Sequence, residues 1–149
     1  MNALAAAGAG FLLAVLWFDL MFDVQALRER GPVLSEAVLA SIAAYYARVT
    51  TTARPMNRLI VVFMVLTLGA IVVEIARGEP SPVVAWVSLP LAAAPILVAG
   101  LRTVPQAVRL GSRRDPVERQ SELARSIGRE HLFCLASVGA VLVLQVASA

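Results

Sequence analysis

Four stretches of this chain, at about 3–22, 59–76, 82–101 and 132–149, are apolar enough and long enough to cross a bilayer, and they constrain everything else about it. A helix rises about 1.5 Å per residue, so about 20 apolar residues cover a hydrocarbon layer about 30 Å thick. Lipid offers no hydrogen bonds, and a single segment satisfies its own backbone there only as a helix. With 59% hydrophobic and 15% charged residues and a mean hydropathy of +0.78, the chain is far too apolar for a soluble domain of 149 residues. The connecting segments are short and arginine-rich, so residues 1–149 read as a single membrane domain with no separate soluble core. The expected fold is an all-α integral membrane protein: four transmembrane helices in a bundle, with an interfacial amphipathic helix between the first and second.

Breakers and caps divide the chain. Gly31-Pro32 stops the first helix near Arg30. Leu34, Val38, Ile42, Tyr45 and Val49 then recur at helical spacing, with Ser35, Glu36 and Arg48 off that stripe. The uncharged core of this helix, 37–47, is too short to span, and Tyr45 and Tyr46 are expected to anchor it in the headgroup layer. Thr50-Thr51-Thr52 and Arg54-Pro55 lead into the second span, and Arg77 to Pro82 makes a tight turn into the third. Pro90 and Pro95 are expected to kink the third span, either as a packing feature or beside a pore. Beyond Arg102 a basic amphipathic piece runs to Arg109 and breaks at 111–114. Asp115-Pro116-Val117-Glu118 reads as a capped start to a long last helix, whose Val117, Ala124, Ile127, His131, Cys134 and Val138 share a face.

All 13 basic residues are arginines, and they flank the spans. Topology therefore explains the pI near 10.0 better than a nucleic-acid partner does. The first connection carries Arg28, Arg30, Arg48, Arg54 and Arg58; the last carries Arg102, Arg109, Arg113, Arg114, Arg119, Arg125 and Arg129; the hairpin between spans two and three has Arg77. The positive-inside rule puts both long connections in the cytoplasm of a bacterial-type membrane and both termini outside. Cytoplasmic arginines also attract anionic lipid headgroups, at about 1 kcal/mol each. No basic residue precedes Arg28, so the first span reads as retained, not as a secretory signal. A lone Cys134 excludes an intrachain disulfide.

Carboxylates stand where the first span should still be apolar. Asp19 and Asp23 are four apart and share a helix face, while Ala3, Ala7, Gly10, Ala14 and Trp17 form a small-residue stripe on the other side. Asn57 and Arg58 open the second span, and Arg129, Glu130 and His131 enter the fourth at the same depth. Asp19, Asp23, Asn57, Arg58, Arg129 and His131 are thus the candidates for a cytoplasm-side polar cavity or ion site, since a charge placed in lipid is costly and usually functional. Structural pairing of Asp19 with Arg58 is the competing reading, and Asp23 is expected to be solvated at the interface. Glu74 and Gln145 form a candidate polar pair near the outer end. One histidine excludes a bis-histidine haem within one chain and the di-iron Glu-x-x-His pattern; Asp19, Asp23 and His131 could together hold a single metal, but no spacing selects one, so no cofactor is expected.

In length, span count and outward termini the chain is similar to the microsomal glutathione transferase and eicosanoid enzyme family. The similarity is confined to architecture, because Arg54-Pro55-Met56-Asn57 and Ile60 depart from that family's second-helix motif. The expected function is a small transporter or channel subunit for a proton, cation or small solute, working as a homo-oligomer. A membrane-embedded enzyme acting on a lipid or other apolar substrate, with Asp19 or His131 as acid or base, and a non-catalytic membrane subunit are the alternatives.

Overall fold

The structure is a computed structural model that describes residues 1–78 and 81–148. Glu79 and Pro80 of the expected tight turn, and Ala149 at the end of the expected fourth span, lie outside the described residues. Among the described residues six α-helices follow one another: α1 Asn2–Arg28, α2 Glu36–Thr51, α3 Arg54–Arg77, α4 Pro82–Val98, α5 Val104–Ser112 and α6 Val117–Ala147. A π-helical turn, Ala99–Thr103, joins α4 to α5, so Pro82–Ser112 is one continuous helix. Four helices, α1, α3, the α4–α5 unit and α6, are long and apolar enough to cross a membrane.

Local chemistry accounts for the boundaries. After α1, Glu29 is extended and Gly31 takes φ 112°, a conformation that suits glycine. Pro55 sits in the first turn of α3, where its missing N–H costs nothing, and Gly78 closes that helix in the left-handed region. In the π turn the Val104 N–H reaches back to the Ala99 carbonyl. The wider turn falls just before Pro105, which lacks the N–H an α-helix would use and whose ring would press on the Leu101 carbonyl.

Two sequence expectations shift here. The chain does break between α5 and α6, but it does so after Gly111, which stays helical. Arg113 takes the left-handed conformation instead. The reason is tertiary: a Cβ on Gly111 would lie 2.8 Å from the Ala47 nitrogen, so the glycine lets α5 lie against α2. Asp115 does not cap α6, which begins at Val117; its carboxylate pairs with Arg109 at 2.7 Å, and its carbonyl accepts from Gln120. A guanidinium offers the carboxylate more than a backbone N–H does.

The long helices pack in a cycle, α1 against α3 and α6, and α4 against α3 and α6, while α2 lies chiefly on α5. At the end carrying both termini, the core comprises Ala5, Ala9 and Leu12 of α1, Ala70 and Ile71 of α3, Ala92 of α4 and Val138 and Val141 of α6. At the other, arginine-rich end, Leu39, Ile42 and Tyr46 of α2 pack with Leu110 of α5 and Leu123 and Ile127 of α6. The small-residue seam of α1 is Ala5, Gly8 and Ala9, not the expected Ala3, Ala7 and Ala14, which are exposed. Alanines occupy so much of 3–9 that spacing alone could not select a face. Contact with Thr67 of α3, which leaves no room for a Cβ on Gly8, selects it. The shared face of α6 holds from Ala124 to Val138, while Val117 is exposed.

Gly111→Ala should lower stability by about 1–3 kcal/mol through overpacking against α2. Helix propensity alone would favour the alanine by about 1 kcal/mol, so Gly69→Ala, at an exposed position of α3, should be neutral or stabilising in the same unfolding assay.

Candidate functional site

The four-residue spacing of Asp19 and Asp23 sets both carboxylates on one side of α1, where α2 and α6 meet it. From α2, Tyr46 donates its hydroxyl to Asp23 Oδ1 and Tyr45 donates to Asp19 Oδ1, each at 2.6 Å. From α6, His131 Nδ1 lies 2.6 Å from Asp23 Oδ2, and His131 Nε2 lies 3.9 Å from Asp19 Oδ2. Phe22 stacks on Tyr45 with centroids 4.0 Å apart, which holds that ring beside α1. Gly128, one turn before His131, brings α6 this close: a Cβ there would stand 3.3 Å from Asp23 Cβ and 3.1 Å from Leu27 Cγ.

Burial grades across the cluster. Asp23 is fully enclosed, His131 is nearly so, and the Asp19 side chain keeps 15% of its surface exposed. With Tyr46 filling one oxygen of Asp23, the other takes the proton of Nδ1–H, which assigns the tautomer and turns Nε2 towards Asp19. At 3.9 Å the Nε2–Asp19 contact is an ion pair when the ring is charged, too long for a direct hydrogen bond. Burial, followed by the adjacent carboxylates, pushes the phenols of Tyr45 and Tyr46 well above their ordinary value, so both remain hydroxyl donors.

These positions correct two expectations. Asp23 is not solvated, because α2 and α6 close over it. Tyr45 and Tyr46 do not face headgroups but turn inward. The place of Tyr45 on the α2 stripe was readable from sequence; that Tyr46 joins it inside, and that this side of α2 meets the α1 carboxylates, was not. Of the other candidates, Asn57 donates to the Val49 carbonyl at 2.8 Å and ties α2 to α3. Arg58 and Arg129 are exposed, and Asp19 takes Tyr45 and His131, not Arg58, as its partners. Glu130, adjacent to His131, faces the π turn. It accepts from Thr103 at 2.7 Å, Gln106 at 3.1 Å and Ser126 at 3.2 Å, and pairs with Arg102 at 3.1 Å. Cys134 is buried. Among the described residues no group of three or more His, Cys, Asp or Glu side chains stands in an arrangement that could hold a metal ion.

At the end carrying the termini, Gln145 donates to Glu74 at 3.0 Å and to Ser88 at 3.3 Å, joining α6 to α3 and α4. All three side chains are buried.

Fold and site together define an all-helical chain with four helices of membrane-crossing length and a carboxylate–imidazole cluster near one end of them. Protein-family models, curated proteins and solved structures provide no match to it.

Tyr45 and Tyr46 are the chain's only tyrosines, so its tyrosinate absorbance reports this site alone. A raised folded pKa favours the protonated phenol, and the resulting stability is complete below pH 10.0, the ordinary phenol value, then falls as the unfolded chain ionises first. No tyrosinate signal should appear near pH 10.0 until the protein unfolds. Tyr46→Phe should cost about 1–3 kcal/mol at neutral pH, by leaving Asp23 Oδ1 without a donor, and should flatten the alkaline decline.

Proposed function

We propose that the chain is a small integral membrane protein, its four long helices forming the bundle, that binds and releases a proton or small cation at Asp19 and His131 as a transporter or channel subunit. The observation supporting this is His131 set between two carboxylates of unequal exposure, Asp23 enclosed and Asp19 at the edge. Asp23 and Tyr46 hold the ring and its tautomer. Asp19 exchanges protons with the surroundings, and Nε2 receives them after a small approach or through one bridging water. A charged ring gains two anionic neighbours, while a neutral one keeps its bond to Asp23, so both states have partners. The arginine-rich connections face the cytoplasm in this reading and meet anionic headgroups. The working unit is a homo-oligomer, since four helices are few to enclose an aqueous path.

A membrane enzyme acting on a lipid or other apolar substrate is the second reading. It is favoured by the same Asp23–His131 contact, which orients Nε2 as a general base would need to be. A non-catalytic subunit would use the cluster for stability alone.

Purified protein in proteoliposomes should move protons or alkali cations down a gradient, and Asp19→Asn should reduce the flux at least tenfold with little change in thermal midpoint, whereas His131→Gln, which also removes a donor from Asp23, should lower flux and stability together. Lowered stability with unchanged flux would assign the cluster a structural role. Turnover of an added lipid that needs no gradient and is lost in His131→Gln would favour the enzyme.

Orientation is tested separately by cysteines introduced at positions 52 and 112 after replacing Cys134. In intact cells a membrane-impermeant thiol reagent should leave both unmodified; labelling of both would invert the assignment.

A further inference from the structure

Glu74 of α3, Ser88 of α4 and Gln145 of α6 meet where three helices converge, near the end of the molecule that carries both termini. Their exposures are 1%, 0% and 0%, so no solvent reaches them. The Gln145 amide has two hydrogens, and both are used, on Glu74 Oε2 and on Ser88 Oγ. Glu74 Oε1 and Gln145 Oε1 are then left as buried acceptors without a partner. Buried polar atoms are nearly always satisfied, because each orphan costs about 1–3 kcal/mol. Turning the amide over would not help: it would take the donor from Glu74 Oε2 and put oxygen against oxygen. Arg77, the cation in the last turn of α3, is exposed.

Both orphaned atoms are acceptors, so what would complete them is a hydrogen-bond donor or a cation. We propose that Glu74, Gln145 and Ser88 form a binding site for a small positive charge, a proton or an alkali cation, held between Glu74 Oε1 and Gln145 Oε1. A proton on Oε1 converts the carboxylate to a neutral acid whose O–H donates to the amide oxygen, completing a reciprocal acid–amide pair. An alkali cation is held instead by the carboxylate, the amide oxygen and the Ser88 hydroxyl, the oxygen donors that hard cations prefer. Either occupant cancels a carboxylate charge in an apolar setting and fills both orphaned acceptors. The site lies about 20 Å along α6 from His131, at about 1.5 Å per residue. It stands on its own observation and does not depend on the role proposed for Asp19.

The two occupants separate in infrared and thermal measurements on the full chain in lipid or detergent. Glu74→Gln should fold, because its amide supplies the hydrogen that Gln145 Oε1 lacks, whereas Glu74→Ala should be less stable. With a bound proton, the parent protein has a carboxylic-acid carbonyl band that disappears in Glu74→Gln and is insensitive to salt. With a bound alkali cation, that band is absent, sodium or lithium chloride raises the thermal midpoint where choline chloride does not, and Glu74→Gln loses the response. Should Glu74→Gln fail to fold, glutamate-specific isotope labelling of the unmutated chain assigns the band. A Glu74 that has no acid band and confers no sodium or lithium response overturns the proposal.

Discussion

Enclosing the Asp23 carboxylate in an otherwise apolar assembly is the demand that the arginine-rich end of the structure is built to meet. Removing a carboxylate from water costs several kcal/mol unless donors replace the lost solvent. One donor comes from Tyr46 on α2 and the other from His131 on α6, so a single side chain on α1 locates two further elements. The consequences spread outward. Gly128 eases the approach of α6, since a Cβ there would be tight against Leu27 and Asp23, Tyr45 follows Tyr46 to reach Asp19, and the imidazole keeps its Nδ1–H on Asp23 and pairs with both carboxylates when charged.

Other contacts brace the same arrangement. Arg125 of α6 donates to the carbonyls of Pro32 at 2.8 Å and Gly31 at 2.6 Å, satisfying backbone just past the end of α1. Ser121 accepts from the Leu34 N–H at 3.0 Å, and Glu29 accepts from the Ser35 N–H at 2.6 Å just before α2 begins. The turn between α1 and α2 is therefore held by α6 and by its own glutamate, which keeps both tyrosines aimed at the carboxylates. Glu130 does the corresponding work at the π turn, where Thr103 and Gln106 come from the α4–α5 unit and Ser126 from α6. Arg113 reaches Glu36 at 2.7 Å, and this guanidinium lowers the Glu36 carboxyl below its ordinary range. The exposed pair nevertheless adds little to stability compared with the enclosed groups.

The Asp23–His131 cluster and the Glu74–Gln145 cluster differ in how completely their polar groups are satisfied, although Gln106 Oε1 and Gln120 Oε1 at the arginine-rich end are also buried without a partner. Around His131 both oxygens of Asp23 have partners, and Asp19 retains an exposed edge. At Glu74 and Gln145 the geometry is equally closed, but Glu74 Oε1 and Gln145 Oε1 have no partner. Such an imbalance is tolerated when an occupant completes it, whereas a satisfied network mainly adds rigidity.

By itself the sequence determined the four helices of membrane-crossing length, the helical character of α2 and the breaks at Gly31, Pro55 and Gly78. These follow from hydropathy, a helical period of about 3.6 residues and the backbone limits of glycine and proline, all local properties. It also placed Asp19 and Asp23 on one face and His131 at matching depth. Only tertiary structure decided which face of the alanine-rich α1 meets α3, because the Gly8–Thr67 contact, not residue type, discriminates among small side chains. Packing likewise drew Asp115 away from its capping position to Arg109 and kept Gly111 helical against Ala47. Above all it buried Asp23 and turned Tyr45 and Tyr46 inward. A stripe on a helix specifies that one side is covered, but what covers it depends on how α1, α2 and α6 approach one another, and that information lies in no single segment.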